Sequence, residues 1–555
     1  MEEFAGLYYN YHIKIQYKLK KVKNGIKVNI LFNRDKEKYK YDIEMLVNSF
    51  FPAREQENKE ELTLYINRET DAISVFLFKG YVEDSDDVEN QMELYRDRLL
   101  EREYEKCVSC DKKEIKNVMK QLTYKALSRF TKKTLPWGIL TGIRPTKLAM
   151  AVLEQENIGG DKETHEQKNI YADMEVSNQN ISEAQEEEEY INEKIRRLLQ
   201  DYYYVSDEKT KLAIDIAWRE KKILKNIDYN DGYSLYIGIP FCPTTCLYCS
   251  FTSYPIGMYK EKSDKYVDCL IKEIDFCSRK FENKKLNTIY LGGGTPTTLT
   301  AEQLDRLFTE IENRFDFTNL LEYTVEAGRP DSITHDKLKV LKNHNITRIS
   351  VNPQTMKQET LDIIGRRHTV EQVREAFYMA REAGFDNINM DFIAGLPNET
   401  IEDMRNTMEE AVKLNPDSIT VHSLAIKRAA RLNMFKENYK EMTIENNTDI
   451  MRLCSEYAGK LNMKPYYMYR QKNMAGNMEN VGYAKEGKAG IYNILIMEEK
   501  QTIAALGAGA VTKYVFPKGG RIERVDNVKN VEQYIERIDE MIGRKEKFID
   551  NLRQE

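Results

Sequence analysis

Residues 233–249 read YSLYIGIPFCPTTCLYC: a short apolar run, Tyr233–Ile239, followed at once by Cys242-x3-Cys246-x2-Cys249. Four to eight apolar residues bounded by turn signals read as a buried strand. Pro243 and two threonines make the next segment a polar loop rather than core. Soft thiolates suit zinc or an iron–sulfur cluster. Structural zinc wants four closed ligands, and no fourth Cys or His stands nearby. A three-thiolate site leaves one metal corner open for a substrate.

Downstream, short apolar strands recur at 287–291, 321–327, 346–351, 387–392 and 417–422. Amphipathic stretches lie between them at about 261–279, 301–314, 333–343, 370–383 and 400–413. Strand–helix alternation of this kind builds a parallel sheet with right-handed crossovers. Six units are too few for a closed eight-stranded barrel, so the expected fold is α/β, an open or partial (β/α)6 barrel. Its chemistry belongs at the carboxyl ends of the strands.

The whole chain, 555 residues, is too long for one core and implies several domains. Period-two patterns at 13–19, 26–32, 62–66 and 73–77, then a helical stretch near 88–105, predict an α+β N-terminal domain over 1–105. Residues 106–228 read as a helical connecting region. Within it, 155–190 ends in the acidic run Glu186–Glu189 and reads as a surface insert. Residues 229–430 form the barrel, and 431–555 a mostly helical C-terminal domain with a turn at Gly507–Gly509. Leu135-Pro136-Trp137-Gly138 and Thr141–Lys147 read as shaped loops.

A net charge of −6 argues against a generally basic nucleic-acid binder. No apolar run reaches the 18 or so residues that span a bilayer, and the first residues lack a signal-peptide layout. The expectation is a cytoplasmic monomer. Cys269, Cys277 and Cys454 are isolated and read as core residues. Cys107 and Cys110 have no second pair to complete a zinc site, and read as incidental.

Cys-x3-Cys-x-aromatic-Cys after the first barrel strand resembles the signature of radical S-adenosylmethionine enzymes. The resemblance implies that Cys242, Cys246 and Cys249 hold a 4Fe–4S cluster whose open iron chelates S-adenosylmethionine. It implies reductive cleavage of that cofactor to a 5′-deoxyadenosyl radical. Gly292-Gly293-Gly294-Thr295-Pro296 follows the second strand, Glu326 the third, Gln354 the fourth with Arg366 beyond it, and Asp391 the fifth with Ile393 next. These positions resemble the oxygen-independent coproporphyrinogen III oxidase branch. By that resemblance Tyr236, Tyr248, Gly293, Gly294, Thr295, Glu326, Gln354, Arg366, Asp391 and Ile393 contact S-adenosylmethionine. Thr141–Lys147 and Tyr469–Asn480 narrow it to the HemZ-type subgroup.

The activity implied is oxidative decarboxylation of two propionates of coproporphyrinogen III to vinyls, in haem biosynthesis. It implies a porphyrinogen substrate and a low-potential donor such as flavodoxin or ferredoxin, with no membrane or nucleic-acid partner. Lys427, Arg428, Arg431 and Arg470 are candidate partners for the substrate carboxylates. Beyond the cluster no catalytic residue is assigned. Two departures bear on the substrate: Phe251 stands where the oxidases carry a fourth cysteine, and Gly238 where they carry a histidine. One rival is a radical methyltransferase or tRNA-modifying enzyme, with Lys18, Lys20, Lys21 and Lys23 on RNA. The other is a haem or porphyrin carrier, against which stands the absence of histidine from Ile491–Met497. His335 and His344 read as solvated, and His422 as either core or cavity.

Overall fold

The computed structural model describes residues 26–51, 60–82, 95–107, 111–142, 144–157, 183–251, 253–425, 427, 430–434, 442–471, 474–516 and 521–554. The expected strand at 13–19, the four N-terminal lysines, Cys110 and Arg428 lie outside these residues. The chain divides into two compact units: residues 1–141 with 203–205, and residues 142–202 with 206–555.

The first unit carries a four-stranded sheet, β1 (Ile26–Phe32), β2 (Glu60–Arg68), β3 (Ala72–Lys79) and β4 (Leu99–Lys106), in that order. β1 and β2 are parallel because the helix Lys36–Phe50 crosses between them; the other pairs are antiparallel. Cross-strand pairs Leu64–Leu77 and Ile66–Val75 occupy one fully buried face, while Tyr65, Phe76 and Phe78 cluster on the other. The predicted helix near 88–105 is corrected here. Leu99–Lys106 is an edge strand, although Leu, Glu and Arg favour helix, because pairing with β3 overrides local preference. Trp137 is fully buried, and Gly138 turns at φ 50° with Tyr203 O only 2.0 Å from where a Cβ would stand. The Leu135–Gly138 stretch is therefore a packed turn.

The second unit is built on one open sheet. Its strands are β5 (Gly232–Ile239), β8 (Lys285–Gly293), β9 (Glu322–Gly328), β10 (Arg348–Val351), β11 (Ile388–Ala394), β12 (Ser418–Ser423), β13 (Lys464–Tyr469), β14 (Asn480–Ala484), β15 (Thr502–Leu506), β16 (Val511–Val515) and β17 (Ile522–Asp526). Two short strands, β6 (Phe241–Cys242) and β7 (Tyr254–Pro255), pair apart from it. The order is β13-β14-β12-β11-β10-β9-β8-β5-β15-β16-β17, parallel from β12 to β15 and antiparallel at both ends. All six expected barrel strands are present. Residues 431–555 are helical, as expected, and also supply five strands of this sheet.

Four of the returning helices, Ala301–Arg314, His335–Asn343, Val370–Glu382 and Ile401–Leu414, start on a threonine. Thr300, Thr334, Thr369 and Thr400 each accept a backbone N–H of the first turn, which fixes where strand gives way to helix. The acidic run Glu186–Glu189 is exposed on the helix Glu183–Arg196. No helix among the described residues is long and apolar enough to cross a membrane.

Candidate active site

The cysteine loop leaves the carboxyl end of β5 and is closed where Phe241 and Cys242 pair with Tyr254 and Pro255. Between these ends it is tied down at several points. Leu247 N–H donates to Ile364 O at 2.9 Å, Thr244 Oγ1–H to Gly365 O at 2.9 Å, and Leu432 N–H to Leu247 O at 2.9 Å. Buried Arg329 donates to Thr244 Oγ1 at 2.5 Å. Cys246 is buried, Cys242 and Cys249 are partly so, and all three thiols are free. Thr295 Oγ1 lies 3.5 Å from Cys242 Sγ. Burial pushes the Cys249 thiol up to about 11 and raises Cys242 as well.

Gly292–Gly294 form a backbone wall beside this loop. Gly294 N–H donates to Ile239 O and Thr295 N–H to Phe241 O, both at 2.7 Å. A Cβ on Gly294 would stand 2.5 Å from Phe241 O, and Gly293 holds φ 106°. Both positions require glycine.

Beyond the wall, the predicted positions are knit to one another. Gln354, at φ 70°, donates its N–H to Asp391 O and accepts from Ile393 N–H, each at 2.9 Å. Buried Arg366 donates to the carbonyls of Asn352 and Pro353. Ile393 packs with Leu247, Leu361 and Ile364, and Tyr248 lies against that cluster. Glu326 accepts from Tyr290 O–H at 2.5 Å, and burial lifts its carboxyl to about 7. Burial also raises Asp391, but polar and charge contacts, first with His422 and then with Asn389 and Thr420, outweigh it and hold the carboxyl below its usual range.

Three aromatic residues line this region, of which the sequence reading named only Tyr236 as a contact. Tyr290 stacks on Tyr492 at 4.5 Å, and Tyr236 lies 6.3 Å from Tyr290 and 6.5 Å from Tyr492. Tyr290 was findable: it sits directly opposite Tyr236 in the β5–β8 register, on the same face. Tyr492 was not, because it arrives on the helix Ile491–Glu498 from far along the chain. Glu322 accepts from the N–H groups of Ile491 at 2.5 Å and Tyr492 at 3.4 Å, anchoring that helix at its start. Arg144 anchors its end, donating to Met497 O at 2.6 Å and pairing with Glu499 at 2.7 Å. The Thr141–Lys147 motif thus gains a structural purpose.

Of the candidate cations, half-buried Lys427 lies over the Phe251 ring at 5.6 Å, and burial lowers it while the nearby Cys249 thiol raises it. Arg431 is exposed. Arg470 is buried and donates to Asn477 Oδ1 at 2.6 Å. His344 is corrected, since it is buried between Asp305 and Glu312, 3.1 and 3.0 Å away. Cys269, Cys277 and Cys454 are buried as expected, and Cys107 is buried at the end of β4.

The donor set fits a three-thiolate cluster with an adjoining ligand. Among the described residues no three His, Cys, Asp or Glu groups converge on a single metal ion. Thiolates that each take a different iron need not converge so closely. Arg366 Nε and Asn352 Oδ1 are buried with no hydrogen-bond partner. Buried polar atoms left open in this way call for a ligand.

Residues 236–411 match the radical SAM superfamily model. The chain is 39% identical over 444 residues to the oxygen-independent coproporphyrinogen-III oxidase-like protein HemZ of Bacillus subtilis, covering 79% of this chain and 82% of that one. It is 34% identical to the haem chaperone HemW of Lactococcus lactis, over 50% of this chain and 68% of that one. It is 32% identical to the oxygen-independent coproporphyrinogen III oxidase of Salmonella typhimurium, over 35% of this chain and 42% of that one.

Proposed function

The chain belongs to the radical SAM superfamily and, within it, to the family of HemZ-type oxidase-like proteins, and from this premise we propose that it oxidatively decarboxylates two propionates of coproporphyrinogen III to vinyl groups. Its cofactors are a 4Fe–4S cluster and S-adenosylmethionine. When bound, they supply the low-potential electron and the hydrogen-abstracting radical that the chemistry requires.

The protein's own residues position and exclude. Cys242, Cys246 and Cys249 hold the cluster on a loop pinned at both ends. Gly293, Gly294 and Thr295 offer backbone to the cofactor's amino-acid part. Glu326, Gln354, Arg366 and Asp391 grip its charged and hydroxyl groups, while Tyr236, Tyr248 and Ile393 pack against the rest. Lys427, beside Phe251 and Cys249, holds a substrate carboxylate where the cysteine loop meets solvent. The observation carrying this reading is the hydrogen-bonded unit of Gln354, Asp391 and Ile393 at the carboxyl ends of neighbouring parallel strands. Residues 229–430 act as the catalytic core and 431–555 as its completing part, in a monomer served by a flavodoxin- or ferredoxin-like donor.

Anaerobic reconstitution with iron and sulfide, S-adenosylmethionine, a strong reductant and coproporphyrinogen III tests this by product mass. Cofactor cleavage with no vinyl product would overturn the substrate while leaving the family intact.

A further inference from the structure

His422 on β12 holds its ring between two fixed partners. Tyr469 Oη lies 3.4 Å from Nδ1, and Asp391 Oδ2 lies 3.8 Å from Nε2. The side chain is 27% exposed, so it borders the site and is not sealed in core. A carboxylate can only accept, so a ring carrying a single N–H bears it at Nε2, toward Asp391. Nδ1 is then bare and takes the Tyr469 hydroxyl proton in a hydrogen bond. At 3.8 Å the Asp391 contact is electrostatic or water-bridged and not a full hydrogen bond. The other carboxylate oxygen, Asp391 Oδ1, accepts from Asn389 Nδ2–H at 2.7 Å. The two oxygens are thus addressed separately, one from within β11 and one from β12.

We infer that His422 is a positioning residue: clamped by Tyr469, it holds Oδ2 of Asp391 so that this carboxylate meets the cofactor in one orientation. The inference rests on the Asp391 contact proposed above, and its test separates the two. Binding of S-adenosylhomocysteine to the reconstituted protein is measured by equilibrium titration, which needs no turnover. His422→Ala should weaken binding by about five- to twenty-fold, the scale of one charge-assisted contact. Tyr469→Phe should weaken it about two- to five-fold, since only the clamp on the ring is lost. His422→Gln, which keeps a terminal N–H on a side chain of similar reach, should restore most of the loss. His422→Ala added to Asp391→Asn should cost no more than Asp391→Asn alone, because one contact is removed twice. Parent-like affinity in His422→Ala with weakened Asp391→Asn would overturn this inference alone, as would additive losses or a His422→Gln protein no better than His422→Ala. Parent-like affinity in Asp391→Asn would instead overturn the proposed cofactor contact, and this inference with it.

Discussion

The Tyr290 hydroxyl donates to Glu326 across 2.5 Å while its ring lies flat on Tyr492, 4.5 Å centre to centre. One side chain thereby ties a titrating carboxyl on β9 to a helix that returns from near residue 491.

Glu326 should give the apo protein a measurable pH slope. Its folded value is raised, from 4.5 to about 7, so the native state binds the extra proton across that window. Stability is therefore greatest below it and falls as pH rises through it, by at most about 3 kcal/mol. Glu326→Gln should flatten the melting temperature between those limits. An unchanged slope would place the titration elsewhere.

Loss of Cys242, Cys246 or Cys249 to Ala should remove the brown chromophore and most of the iron, because three corners need three thiolates. Cys107→Ser should keep both. Iron per chain, measured after anaerobic reconstitution, checks it; a fully loaded Cys246→Ala protein would refute the cluster assignment.

Arg366→Ala removes none of the three thiolates, although its guanidinium interacts with Cys246 and Tyr248, so all three cluster ligands remain and iron content should stay near that of the parent. S-adenosylmethionine affinity should fall by roughly one to two decades, as expected for a charge-assisted contact. Equilibrium binding with unchanged affinity would remove Arg366 from the cofactor site.

Arg144→Ala should lower the urea midpoint by the equivalent of about 1 kcal/mol, since it strips one cap and one ion pair from the helix Ile491–Glu498. Lys at this position should recover only part of that, lacking the fork that reaches Met497 O and Glu499 together.

Haem should bind weakly and without a sharp low-spin spectrum, because no histidine follows His422 in the chain. Lys427→Ala should instead weaken coproporphyrinogen binding while uncoupled cofactor cleavage persists. A stoichiometric haem complex with undiminished porphyrinogen affinity would favour a carrier.

The barrel strands were legible because buried parallel strands are short, apolar and bounded by turn residues. Ile388–Ala394 and Ser418–Ser423 fall within a residue or two of their expected places. The candidate cofactor positions were picked out by residue type at strand ends, which their resemblance to a known branch made specific. What stayed hidden depends on distant pairing. Leu99–Lys106 carries helix-favouring residues and becomes a strand only because β3 lies beside it. The helix Lys36–Phe50, with Tyr39, Ile43, Leu46, Val47 and Phe50 buried along one face, was passed over among the strand patterns that flank it. Tyr492 faces Tyr290 only because Glu322 and Arg144 hold its helix at both ends.

The pairing of Tyr233 with Thr502 also bears on how the protein is made. β5, which leads into the cysteine loop, has β8 on one flank and β15 on the other. During synthesis the second flank stays bare until Thr502–Leu506 has left the ribosome. Contacts so far apart in sequence form slowly, and an unpaired strand beside three reduced thiols is open to oxidation and misassociation. A chain cut short before residue 502 would leave that edge of β5 unpaired.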